Sequence, residues 1–197
     1  GFLMKGEEIH PDLNNQVVLL TNAHAVSDDP AKNNNSLLPQ EAVVILETID
    51  RDMELQLKGV FRSSGIDELD VSVLQFDEAS LQKLEDIKGE ISFYKISKLL
   101  PATDGKNRVY IIGHPAGGTL QLSLQDNVFL AQQEPFLHYR TPTEGGSSGS
   151  PVFNENWELI GIHHAGDEQM QNLREPGKTY EANEGIWIQS ILKNINS

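Results

Sequence analysis

No cysteine occurs in the 197 residues, which excludes disulfide scaffolding and every metal site built on thiolates. Cations are scarce too. Lys and Arg total 15 against 29 Asp and Glu, for a formal charge of −14, and no basic cluster interrupts the acidity. Nucleic acids and anionic membranes are held by Lys and Arg neutralising phosphate, so neither is an expected partner. No apolar run approaches the roughly 20 residues of a membrane-spanning helix, and no secretory leader is visible. Asp28, Asp29 and Asp126 lack the spacing of a calcium loop, so no metal or other cofactor is expected.

What is present is short β-type runs. Apolar residues make up 38% of the chain, enough for a sizeable core. Residues 16–20, 42–47, 53–61, 71–76, 109–113, 119–124, 128–131, 136–139, 151–153, 158–163 and 185–188 read as strands, many alternating apolar with polar. Gly, Pro, Asn and Asp separate them, which favours an all-β sandwich or barrel over α/β. Helical signal is confined to residues 80–87, with Ser80 as N-cap, and to a terminal helix over 190–196, capped by Ser190. Residues 28–40 and 166–178 read as long surface loops. The segment 101–107 divides the strands into two similar sets, giving expected domains of 1–100 and 108–197 joined by a linker.

Three local patterns carry chemistry. Thr21-Asn22-Ala23-His24-Ala25-Val26 places a histidine among small residues at the end of a strand. Asp70 stands at the head of the apolar run Val71-Ser72-Val73-Leu74, where a carboxylate needs a partner; an imidazole N–H is a suitable one and would fix the histidine's tautomer. Gly145-Gly146-Ser147-Ser148-Gly149-Ser150-Pro151 frames Ser148 with glycines that permit a sharp turn. Such a turn can aim the backbone N–H groups of Gly146 and Ser148 at one point, as an oxyanion hole requires. Alone, each pattern has a bland reading: a packed histidine, a turn aspartate, a flexible Gly/Ser loop. Their order along the chain, His then Asp then Ser, is that of one known triad.

At these residues the chain resembles the trypsin/chymotrypsin-like serine proteases. TNAHAV matches the box of the family's histidine, DVSVL that of its aspartate and GSSGSPVF that of its serine. The resemblance implies two six-stranded antiparallel β-barrels with the active site in the cleft between them, plus a short C-terminal helix. It implies a serine endopeptidase acting on protein or peptide substrates, with Ser148 as nucleophile, His24 as base and Asp70 orienting the base. Within the family the chain looks most like the bacterial glutamyl endopeptidases, on Thr143, Ser150, Pro-Val-Phe-Asn (151–154) and Leu-Ile-Gly-Ile-His (159–163). That branch implies an acidic P1 side chain bound by Thr143 and His163, with Ala165 on the pocket edge in place of a glycine.

Several residues depart from the family pattern. The first-barrel strand that usually precedes Gly1-Phe2-Leu3-Met4 is missing from the match, so either the sequence is trimmed or it belongs to a larger protein with additional domains on the same polypeptide. His164 replaces a common tryptophan. Ser147 replaces the aspartate that latches a newly cut N-terminus in trypsin-like zymogens. Two alternatives therefore accompany the main reading: a switchable protease effector domain of a larger protein, and a catalytically silent protease-like binding module. Bacterial cytoplasmic and secreted settings both remain open.

Overall fold

The computed structural model describes all residues, 1–197. The chain divides into two compact units, Gly1–Phe93 with Ile195–Ser197, and Tyr94–Asn194. Residues 101–107 fall inside the second unit.

In the first unit, β1 (Phe2–Lys5), β2 (Val17–Thr21), β3 (Val43–Leu46), β4 (Asp50–Ser64) and β5 (Val71–Phe76) form an antiparallel sheet in the order β1-β2-β5-β4-β3. The one-turn helix α1 (Gly6–Ile9) follows β1, and α2 (Glu78–Asp86) follows β5. β5 is the middle strand, which explains why its sequence is apolar on both faces: only Gln75 is not fully buried. Leu19, Leu55, Leu57, Leu74, Phe76 and Leu84 pack together as the core. Truncating one of these leucines to alanine costs about 2–5 kcal/mol. The β2–β5 ladder ends at Thr21 opposite Ser72. The residues just after β2 and just before β5 therefore emerge at one end of the sheet.

The cap of α2 differs from expectation. Asp77 Oδ1 accepts from the Ser80 N–H at 2.7 Å, making Asp77 the N-cap. The Ser80 hydroxyl instead accepts from the Gln56 N–H at 2.7 Å and ties the helix to β4.

The second unit contains β6 (Tyr110–Gly113), β7 (Gln121–Ser123), β8 (Phe129–Gln133), β9 (Phe136–Tyr139), β10 (Pro151–Phe153), β11 (Leu159–Gln171), β12 (Thr179–Trp187) and α3 (Ile188–Ile195). The strands run antiparallel in the order β7-β6-β10-β11-β12-β9-β8. Val109 N–H donates to Asn127 at 2.8 Å and Phe129 N–H to Asn107 at 3.0 Å. The β8 edge thus returns to the entrance of β6, curling the sheet around Val109, Ile111, Phe129, Tyr139, Val152 and Ile160.

The all-β class and the antiparallel pairing agree with expectation, with strands divided five and seven rather than six and six. The expected loop over 166–178 is loop only from 172 to 178; residues 166–171 are the outer arm of β11, paired with β12 through Gly166–Asn183, Asp167–Ala182 and Met170–Tyr180. The β11 arm is exposed on both faces, with only Met170 half-buried, so it carries no apolar alternation for a sequence reading to find. α3 starts two residues before Ser190, whose hydroxyl donates to Glu134 at 3.2 Å instead of capping the helix.

Candidate active site

His24 and Asp70 meet at the end of the first sheet. A single helical turn after β2, closed by Ala25 and Val26 N–H groups on the Asn22 carbonyl, presents His24. Asp70 is 1% exposed and grips the histidine twice. Its Oδ1 accepts from the His24 backbone N–H at 2.9 Å, and its Oδ2 lies 2.6 Å from His24 Nδ1. A carboxylate only accepts, so we assign the Nδ1–H tautomer, which leaves Nε2 as the lone-pair nitrogen.

Asp70 also sits at φ 48°, in the left-handed region, a conformation that costs a non-glycine residue on the order of 1 kcal/mol or more. Buried Asn22 holds it there by donating from Nδ2 to the Asp70 carbonyl at 2.8 Å. Sequence reading passed over Asn22, although it lies two residues from His24 in the same box.

Ser148 lies in the second unit, on the turn between β9 and β10. Gly146 and Gly149 flank it at φ 92° and 82°, where a Cβ would be strained. Ser147 N–H donates to the Glu144 carbonyl at 3.0 Å, and the Ser147 hydroxyl accepts from Glu144 N–H at 3.3 Å. The Gly145 carbonyl accepts from Ala116 N–H at 2.7 Å. In a trans peptide the N–H lies opposite the carbonyl, so the Gly146 N–H points away from the 114–118 turn. Neither it nor the Ser148 N–H is spent on a protein acceptor. His114 belongs to that 114–118 turn, with Nδ1 3.0 Å from the Gly118 carbonyl.

A cavity of ≈ 450 Å³ opens beside Ser148 and is lined by Thr143, His163, Ala165 and Asn183, among others. Gly149 N–H on the His163 carbonyl at 2.9 Å, and His163 N–H on the Ser150 carbonyl at 2.8 Å, fix the serine turn against β11. His163 is buried, with Nδ1 2.9 Å from the Tyr139 hydroxyl. Burial and the nearby Glu184 charge push the Tyr139 phenol well above its usual range. Tyr139 therefore keeps its proton at neutral pH. The cavity rim is acidic: Glu144, Asp167, Glu168 and Glu181 are exposed there. Its one arginine, Arg140, is paired with Asp126 at 2.6 Å.

Across β9, β11 and β12 runs a polar chain, buried at His138 and half-buried elsewhere, that sequence reading missed. Glu184 Oε2 lies 2.7 Å from His138 Nε2, and its Oε1 lies 2.8 Å from His164 Nε2. His138 Nδ1 in turn is 2.7 Å from the Tyr180 hydroxyl. Burial works against the Glu184 charge, but hydrogen bonds from His138 and His164, with their charges, hold its pKa down at about 2. Glu184 and His138 are direct cross-strand partners on β12 and β9, a pairing that no local motif announces.

The trypsin-like peptidase domain family matches residues 1–162. The chain belongs to that family. Family membership makes it a peptidase domain of the serine endopeptidase class. Among curated proteins, it is 31% identical over 124 residues to the uncharacterized protein y4fB of Sinorhizobium fredii (strain NBRC 101917 / NGR234), a match over 58% of this chain and 18% of that protein. The chain thus spans less than a fifth of that relative's length.

Solved structures of similar fold include a serine endoprotease from Yersinia pestis, with TM-score 0.56 and 17% identity over 90% of this chain and 54% of that one. A Glu endopeptidase follows at TM-score 0.55 and 14% identity, covering 90% of this chain and 78% of that one. The Rv3671c protease of M. tuberculosis in its active form is similar at TM-score 0.54 and 16% identity, covering 91% of this chain and 67% of that one.

Proposed function

We propose that this trypsin-like domain is an active serine endopeptidase whose triad is Ser148, His24 and Asp70. The observation that carries the proposal is the double grip of buried Asp70 on His24 at 2.9 and 2.6 Å, which sets the tautomer a general base needs. His24 Nε2 takes the Ser148 hydroxyl proton as Oγ attacks the scissile carbonyl. The N–H groups of Gly146 and Ser148 receive the oxyanion. His24 then gives the proton to the leaving amine, and water, deprotonated by the same imidazole, hydrolyses the acyl-enzyme.

The cavity beside Ser148 serves as S1. It prefers Glu or Asp, with the His163 imidazole as the donor to the side chain and Thr143 and Ala165 on its walls. The domain works inside a longer polypeptide, a reading supported by its match to only 18% of its relative from Sinorhizobium.

The test is labelling by a fluorophosphonate, which reacts only with an activated serine. The wild type takes the label and Ser148→Ala does not. An unlabelled wild type would point to the silent binding module instead. A peptide library then reads P1, and cleavage after Arg or Phe in place of Glu or Asp would rule out the His163 assignment.

A further inference from the structure

We propose that Asn33 is a positioning residue for the base: from the loop that follows His24 it fixes the 65–66 peptide, and through that peptide the left-handed backbone of Asp70. The proposal rests on reading His24 and Asp70 as the base and its orienting carboxylate.

Asn33 is buried in a loop whose two ends are pinned beside the His24 turn. Leu37 N–H donates to the Ala25 carbonyl, and Ser27 N–H to the Leu37 carbonyl, both at 3.0 Å. The Asn33 amide nitrogen Nδ2 donates to the Asp29 carbonyl at 3.0 Å and to the Ser27 hydroxyl at 3.2 Å. The Asp29 carbonyl can only accept, which fixes the orientation of the amide. Its oxygen Oδ1 is thereby turned to the 65–70 turn, where it accepts the Ile66 N–H at 3.1 Å.

That N–H shares one planar peptide unit with the Gly65 carbonyl, and neither group can turn without the other. The Gly65 carbonyl accepts from the N–H groups of Glu68 and Asp70, each at 2.9 Å. Asn33 therefore orients the acceptor that holds the Asp70 N–H, while Asn22 holds the Asp70 carbonyl at 2.8 Å. Asp70 sits at φ 48°. A non-glycine residue persists in such a conformation only where its surroundings over-determine it, and here both ends of its backbone are tied. Those ties decide where its two carboxylate oxygens meet His24. The whole relay lies inside the first unit.

The experiment compares Asn33→Ala, Ile66→Pro and Ser36→Ala with the wild type. Steady-state cleavage of one peptide gives kcat and KM. The proton between His24 Nδ1 and Asp70, in a hydrogen bond of 2.6 Å, is followed by NMR as a far-downfield resonance. Ile66 is the second residue of a turn closed by Glu68 N–H on the Gly65 carbonyl, a position that suits proline. Ile66→Pro thus deletes the N–H that Asn33 holds and leaves Asn33 in place. In both Asn33→Ala and Ile66→Pro, kcat falls about 10- to 100-fold, as for a catalytic group set slightly out of place. KM is unchanged, and the resonance moves upfield or broadens. The Ser36 hydroxyl lies 2.7 Å from that of Ser27, so Ser36→Ala loosens the same loop without touching the 65–70 turn, and it leaves kcat and the resonance as they were. Equal losses in Ser36→Ala and Asn33→Ala, or an unmoved kcat and resonance in Ile66→Pro, overturn the proposal. If Asn33→Ala fails to fold, Ile66→Pro decides. Fluorophosphonate labelling of the wild type separates this from failure of the broader reading. Labelled enzyme with unmoved kcat and resonance in the variants sinks only the role of Asn33. Unlabelled enzyme sinks the proposed function, and the resonance in Ile66→Pro then decides by itself whether Asn33 positions the pair.

Discussion

The two halves of the proposed triad are held by different physics. His24 and Asp70 are fixed by side chains at the end of a buried strand pair. Asp70 uses both carboxylate oxygens on one histidine, and Asn22 pins its left-handed backbone. The Ser148 turn is held by its backbone, through two glycines at positive φ and carbonyls tied to neighbouring N–H groups. Side-chain substitutions should therefore damage the first half severely. Apart from the nucleophile Ser148 itself, the second half should tolerate them unless they add a Cβ to its glycines.

The largest effect is expected in the first half. Asp70→Asn keeps the shape but offers an N–H where the histidine needs an acceptor, and kcat should fall by about 10⁴, as in triads of this order generally. Circular dichroism should show the fold retained; a loss under tenfold would remove Asp70 from the triad.

Next is Gly146→Ala. Its Cβ would approach Gly117 N at 3.1 Å from a φ of 92°, so the turn must shift. An oxyanion donor out of place costs about 10²–10³ in kcat, with little change in KM. Equal losses in the two would mean a general collapse of the turn.

The third concerns stability. Glu184 has a folded pKa of about 2 against an ordinary 4.5. A depressed carboxylate pKa stabilises the fold fully above its unfolded value, and that contribution is lost as pH falls from about 4.5 toward 2. Allowing for partial solvent screening, Glu184→Gln should cost on the order of 2 kcal/mol at neutral pH, and urea midpoints of the variant and wild type should converge at pH 2–3. Midpoints that stay equally far apart there would show that the charge is not the cause.

The smallest effect is expected at Ser147→Ala, worth a few-fold in kcat/KM at most. The 3.3 Å bond that it removes is seconded by the backbone bond between the same two residues. A hundredfold loss would show that this serine side chain, and not the backbone, shapes the turn.

Legibility in the sequence follows the same division. The runs 71–76, 136–139 and 151–153 coincide with β5, β9 and β10, because each is short, apolar and bounded by turn residues. β1 escaped notice, being four residues with no alternation to distinguish it. The outer arm of β11 was unreadable as a strand since both of its faces meet solvent. His24, Asp70 and Ser148 were legible because each stands in a local motif.

Asn22 and Asn33 were not, and neither was the chain from Tyr180 to His164. Their roles depend on partners 20 to 48 positions away, such as Asp70 for Asn22, and only the fold brings those together. Ser80 and Ser190 misled as caps for a related reason. A serine hydroxyl can serve a distant backbone or side-chain group as readily as its own helix.

The Ala116–Gly145 hydrogen bond bears on where the Ser148 turn gets its shape. Trypsin-like zymogens set the corresponding turn with a freshly cut chain end, so their catalytic segment depends on what happens at a distant terminus. Here the Gly145 carbonyl is held by the 114–118 turn of the same unit. The carbonyl that faces away from the Gly146 N–H is thus anchored by chain only some thirty positions earlier, inside one compact unit.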